Sequence, residues 1–293
     1  MRIFGKFILL LLGAEFLTAF LTYPSWLLVN TVADIPIHRV RDRVAMLLIA
    51  AGLWFFLPRW QLATRDVLGY GLPRRIFLRQ LSAGFLAALA LMLPLVLALL
   101  GLAIRVPGNF TSPAALTGLI GQGLLAGLAV GFIEETCFRG VMYGGIERES
   151  GVVLATLLPT VLYAAGHFFG GTLRVPQDQV TFASGFRIVA DVFTKFERPL
   201  DVLDSFLALC ALGVLLSLIR KRTGAIAGGI GLHAGAVCVI WVMTKSTHVN
   251  PGSHWAWLVG DYNGVIGWMA CAWICVIAGV YSVVGRRAEI HSQ

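Results

Sequence analysis

The stretch GFIEETCFRG, residues 131–140, sets two adjacent glutamates and an arginine in a run that is otherwise apolar. Upstream, AALTGLIGQGLLAGLAV carries no charge at all. A charged side chain at bilayer depth costs about 2.5–3.5 kcal/mol on insertion scales, so such residues are rare and functional by default. On a helix, Glu135 and Arg139 are four residues apart, share a face and can neutralise each other. Glu134 points about 100° away from that pair. The spacing divides the roles: Glu135 and Arg139 hold architecture, and Glu134 faces a cavity. Burial disfavours a carboxylate's charge and a nearby guanidinium favours it, a balance that suits a general base near neutral pH. Two further polar residues fall in apolar runs, His167 in LPTVLYAAGHFFGG and His233 in GAIAGGIGLHAGAVCVIW. Either one alone also reads as a histidine bonded to a neighbouring carbonyl. At 1.5 Å per residue, Glu134 lies about 18 Å from the inner end of its helix, His167 about 24 Å and His233 about 14 Å. The three can therefore meet near mid-membrane.

The elements that must position them follow from composition. The chain has 293 residues, 58% hydrophobic and 13% charged, with a mean hydropathy of +0.81. Soluble domains carry about 25% charged residues, so the chain reads as an all-α polytopic membrane helical bundle. A span needs about 20 apolar residues, and about eight transmembrane helices emerge, at roughly 7–30, 44–58, 81–104, 113–146, 151–169, 203–219, 224–244 and 264–285. Without an internal repeat or low-complexity stretch, residues 1–293 read as a single integral membrane domain, the first span being an uncleaved anchor. The net charge of +8 belongs to membrane-flanking loops, with no nucleic-acid partner. The segments RWQLATRDVLGYGLPRRIFLRQ and RKR place both termini in the cytoplasm, against the grain of HRVRDR. The five cysteines lie in apolar runs without framework spacing, so no disulfide scaffold is expected. Between about 170 and 202, Phe182, Phe186, Val189, Phe193 and Phe196 recur at helical spacing and predict an amphipathic helix on the membrane surface. Gly123, Gly127 and Gly131 run at four-residue intervals up to Glu135 and Arg139, and glycines 228, 229, 231 and 235 surround His233. Both sets permit close helix approach.

The motifs resemble a known family. EETCFR matches the E-E-x-x-x-R motif of the CAAX prenyl endopeptidase and bacteriocin-processing family, intramembrane glutamic endopeptidases of about eight helices. The family's F-x-x-x-H block reads YAAGH here, Tyr163 to His167. Its third block, a histidine followed four residues later by Asn or Asp, reads HAGAV, His233 to Val237. The order and spacing resemble the family over about 81–285. The resemblance implies that Glu134 and His167 activate a water, that His233 stabilises the oxyanion, and that Glu135, Arg139 and Tyr163 support them. It implies as substrate a membrane-embedded or membrane-associated protein or peptide in the lipid bilayer. Two departures stand out. Tyr163 adds a hydroxyl where the family has phenylalanine, and Val237 lacks the polar group expected beside the oxyanion.

Rival chemistries are weaker. Two histidines and a glutamate make a zinc set, but H-E-x-x-H is missing, so the reading is of no cofactor, with zinc disfavoured. Ser184 has no histidine arranged around it, and Cys137 reads as an interface residue. VGDYNG reads as an interfacial turn, with Trp255, Trp257 and Trp268 in an aromatic belt. Glu15 in the first span has no assigned partner. Two other function classes stand beside the peptidase: a non-catalytic membrane scaffold, favoured by Val237, and a proton-coupled transporter. Brevity and the lack of eukaryotic signals point to a bacterial inner membrane.

Overall fold

The computed structural model describes residues 1–108 and 112–290. In chain order the elements are α1 (Arg2–Asn30), α2 (Ile37–Arg59), the one-turn α3 (Arg65–Leu68), α4 (Arg74–Gly101), β1 (Arg105–Pro107), α5 (Pro113–Glu135), a π-helical segment (Thr136–Met142), α6 (Tyr143–Gly166), α7 (Phe182–Asp191), α8 (Leu203–Thr223), α9 (Ala227–Ser246), β2 (Thr247–Val249) and α10 (Trp268–Ile290). The protein is an all-α membrane helical bundle. Five stretches among the described residues are long and apolar enough to cross a bilayer: Arg2–Asn30, Arg74–Gly101, Pro113–Gly166, Pro199–Thr223 and Ala227–Ser246, with Trp268–Val284 a shorter apolar helix. The count is below the expected eight for three reasons. The last expected span, 264–285, is present only as the shorter Trp268–Val284. α2 is not among the five, because its first turns carry Arg39, Arg41, Asp42 and Arg43. Pro113–Gly166 counts as one stretch of 54 residues, but Gly151, with φ 81° and ψ 172°, a backbone that glycine adopts without strain, breaks the helix there, so the two expected spans at 113–146 and 151–169 are both present.

The chain divides into two compact units, Met1–Ala63 with Ala165–Pro199, and Thr64–Ala164 with Leu200–Gln293. In the first, α1 packs with α2 and α7. Glu15 has a partner after all: Arg41, itself 7% exposed, pairs with it and with Asp42 at 3.2 Å. α7 lies on α1 by its small face. Ser184, Gly185 and Ile188 are its buried residues, and a Cβ at Gly185 would overlap the Ala19 carbonyl. Phe182 and Phe186 flank this seam, half-exposed, their rings against Phe20. The phenylalanine pattern therefore marks the outside of α7, and its small residues mark the contact. Ser184 Oγ accepts from the Thr181 backbone N–H at 3.0 Å as part of a helix cap, which commits the hydroxyl to structure.

In the second unit α9 is central: 61% of its apolar stretch is buried, against 17% for α4. Glycines decide how closely its neighbours approach. A Cβ on Gly127 of α5 would overlap the Ala234 carbonyl, and one on Gly131 would stand 2.9 Å from the Ile230 carbonyl oxygen. From the other side, a Cβ on Gly231 would overlap the Leu81 carbonyl of α4, and one on Gly235 would stand 2.9 Å from the Phe85 oxygen. The helix that carries His233 is thus gripped by α4 and α5 at backbone contact distance. Large apolar side chains point the other way: Leu86 is 63% exposed and Leu125 71%, as expected of surface that meets lipid rather than water.

Candidate active site

Glu134 and Glu135 end α5, where the helix widens into the π segment Thr136–Met142. Single π turns inside α-helices recur at functional sites. The two glutamates diverge as their spacing predicts. Glu135 is fully buried, whereas the Glu134 side chain keeps 26% of its surface. Arg139, 0% exposed, donates from Nη1 to Glu135 Oε1 at 3.1 Å and from Nη2 to the Gly213 carbonyl of α8 at 3.2 Å. Its guanidinium lies over the Tyr163 ring, 4.5 Å from the centroid.

His233 completes a chain of contacts that sequence spacing does not reveal. Its Nδ1 donates to the same Glu135 oxygen at 3.1 Å, across 98 positions of sequence. Its Nε2 faces Glu134 Oε2 at 3.7 Å, an ion-pair distance longer than a hydrogen bond. Tyr163, 1% exposed, sets its ring edge-on to the imidazole with centroids 5.9 Å apart. The order is therefore Arg139, Glu135, His233, Glu134, from the buried end to the open end. Fixing one imidazole nitrogen on a carboxylate selects the ring orientation and leaves the other nitrogen to face the chemistry.

His167 follows α6 in a turn of the first unit and is half-buried. Val237, one helical turn beyond His233, is half-buried and offers only methyl groups. Cys137 lies in the π segment, also half-buried. Among the described residues no group of three His, Cys, Asp or Glu side chains is arranged to hold a metal ion. Around His233 the reason is visible: the two carboxylates address opposite ring nitrogens and do not converge.

Two residues of this region carried no chemical signal in the sequence. Arg220, from the RKR run, is 7% exposed. It donates from Nε to the Arg139 carbonyl at 3.2 Å and from Nη2 to the Val67 carbonyl at 3.0 Å. It braces the π segment against α3, where a Cβ on Gly140 would stand 2.9 Å from the Leu68 carbonyl oxygen. The second is Tyr262, in VGDYNG. Burial first, and the Glu134 carboxylate second, raise the Tyr262 phenol above its ordinary pKa of 10.0.

No curated protein and no solved structure matches the chain. Residues 116–239 match a family model described as Rce1-like, type II CAAX prenyl endopeptidase. That segment runs from α5 to α9 and holds Glu134, Glu135, Arg139, Tyr163, His167 and His233. Over these residues, which contain the whole motif cluster, the chain carries the sequence pattern of the CAAX prenyl endopeptidase family.

Proposed function

We propose that the protein is an intramembrane endopeptidase of the glutamic type. Glu134 takes a proton from a water as that water attacks the peptide carbonyl. His233, with Nδ1 held by Glu135, presents Nε2 toward the oxygen on which charge develops. Glu135 and Arg139 keep that imidazole in place from the buried side. His167 is the second group on the water, a role carried by the sequence resemblance. The observation that carries the reading is one imidazole fixed by a buried carboxylate on one nitrogen and facing a partly open carboxylate with the other. Base, imidazole and donor in a low-dielectric enclosure are the parts peptide hydrolysis needs.

The substrate class is a membrane-embedded or membrane-associated protein or peptide, and the setting is a bacterial inner membrane with both termini in the cytoplasm. The test is quantitative proteomics of membranes from cells making the wild type or Glu134→Gln. One precursor should accumulate uncleaved in the variant, while expression and thermal unfolding stay as in the wild type. A scaffold, the reading that Val237 favours, would leave every precursor processed. A transporter would lose proton-coupled flux instead.

A further inference from the structure

The π segment departs from an α-helix at an identifiable bond. In an α-helix the Tyr143 N–H would meet the Arg139 carbonyl, four residues back. Here it goes to the Phe138 carbonyl, five back, and to that of Gly140. The Arg139 carbonyl is met from outside the helix, by Arg220 Nε at 3.2 Å. Arg220 donates to three further carbonyls: Val67 at 3.0 Å, Asp66 at 3.2 Å, and Gly224 just past the end of α8. One buried guanidinium thus joins α3, α8 and the π segment. Gly69, with φ 78°, ends α3 close beside it, and a Cβ there would stand 3.1 Å from the guanidinium carbon. The Gly69 carbonyl also accepts from the Ile226 N–H at 3.1 Å, which fixes α3 to the start of α9.

The other end of the π segment is held from the same loop. Thr136 gives its hydroxyl proton to the Phe132 carbonyl at 2.6 Å, so Tyr70, whose hydroxyl lies 2.6 Å from the same Thr136 oxygen, is the donor to it. The Tyr70 ring stacks on Phe77 of α4 and leans on Phe132 of α5. Residues 66–70 therefore meet the π segment at Thr136, at Gly140 and, through Arg220, at Arg139. Arg139 is also the residue whose guanidinium bonds Glu135, and Glu135 holds Nδ1 of His233. The grip on its backbone and the grip on the imidazole are two ends of one chain of contacts.

We propose that Arg220 is a positioning residue for the hydrolysis, with Tyr70 as its counterpart: together they hold the widened turn by its two ends and so fix His233, through Arg139 and Glu135, against Glu134. The proposal rests on the peptidase reading and adds to it a support outside the three motif blocks. Neither residue touches the reacting atoms. Without Arg220 the Arg139 carbonyl draws the Tyr143 N–H toward α-helical pitch. Arg139 moves with its backbone, and Glu135 loosens its hold on the imidazole.

The experiment uses the full-length protein and the precursor that accumulates in Glu134→Gln membranes. Arg220→Gln should lower kcat by about 10²-fold, the scale of a misplacement of about 1 Å at reacting groups, with KM changed by less than about threefold. Arg220→Lys should recover only part of kcat, since one ammonium cannot meet the carbonyls of three segments. Tyr70→Phe keeps the stacked ring and removes only the hydroxyl. It should fold as the wild type does and lower kcat about five- to tenfold, as for one neutral hydrogen bond. The readout that a merely structural role would not move is the imidazole itself. In protein carrying nitrogen-labelled histidine, the low-field proton signal of His233 Nδ1–H should move upfield in both Arg220→Gln and Tyr70→Phe, at a temperature where each is fully folded. If Arg220→Gln keeps kcat within about twofold, or either variant loses kcat with the His233 signal in place, the positioning role is overturned while the peptidase reading stands. If Arg220→Gln does not fold, Tyr70→Phe decides alone, and an unchanged kcat and signal overturn the role. If no precursor accumulates in Glu134→Gln membranes, the peptidase reading falls and takes this inference with it.

Discussion

At the level of single residues, the site is a buried carboxylate shared between a guanidinium and an imidazole. Glu135 Oε1 accepts from both Arg139 and His233. Removing the guanidinium leaves a fully enclosed charge without its main partner, and breaking a buried pair in this way costs about 3–5 kcal/mol. Arg139→Ala should therefore lower the thermal unfolding temperature in detergent markedly. Arg139→Lys should recover only part of it, since one ammonium does not reproduce a fork bonded to both Glu135 and the Gly213 carbonyl. The i, i+4 pairing was legible because it is local. The Glu135–His233 bond was not, because no pattern connects positions 98 apart.

At the level of elements, side-chain size rather than hydropathy sets the contacts. Lipid is as apolar as leucine, so helices meet where small residues let backbones touch, and large apolar side chains face outward. The glycine ladder of α5 was readable on those terms, although its partner, α9, was not. The same rule explains why the phenylalanines of residues 182–196 flank α7 while Ser184 and Gly185 make its contact. Gly231→Ala and Gly127→Ala should each force α9 away from a neighbour. A cost of about 1–3 kcal/mol is expected, as for overpacking elsewhere, with kcat falling as His233 shifts. Gly118→Ala and Gly121→Ala, where nothing lies within 4 Å of the added carbon, should leave unfolding temperature and activity as in the wild type. Comparing the four variants by thermal unfolding and by cleavage checks this.

At the level of the whole molecule, three arginines serve the packing of the bundle rather than its charge balance. Arg41, Arg105 and Arg220 are all under 10% exposed and bonded to carboxylates or backbone carbonyls. None of the three acts as a free loop charge. On the proposed topology, with both termini in the cytoplasm, Arg41 and Arg105 fall in outer segments, and their burial removes two basic charges from that face. In a cysteine-free background, a cysteine at Pro251 should react with an impermeant maleimide from the periplasmic face, and one at Arg65 only after the membrane is opened. Labelling in the reverse pattern would invert the proposed topology. The membrane class and the motif cluster were legible from composition and spacing. The widened turn at Thr136–Met142 was not, since TCFRGVM contains nothing that distinguishes it from ordinary helix. Its presence makes that stretch tolerant of length in a way no hydropathy profile records. Loss of a single amino acid there would let the coil close back to the usual pitch with the backbone ladder intact. The tighter winding takes up most of the roughly 100° that one residue spans, so Tyr163 would stay beside His233. The same loss in regular helix on either side would not be absorbed, and would turn everything beyond it out of register.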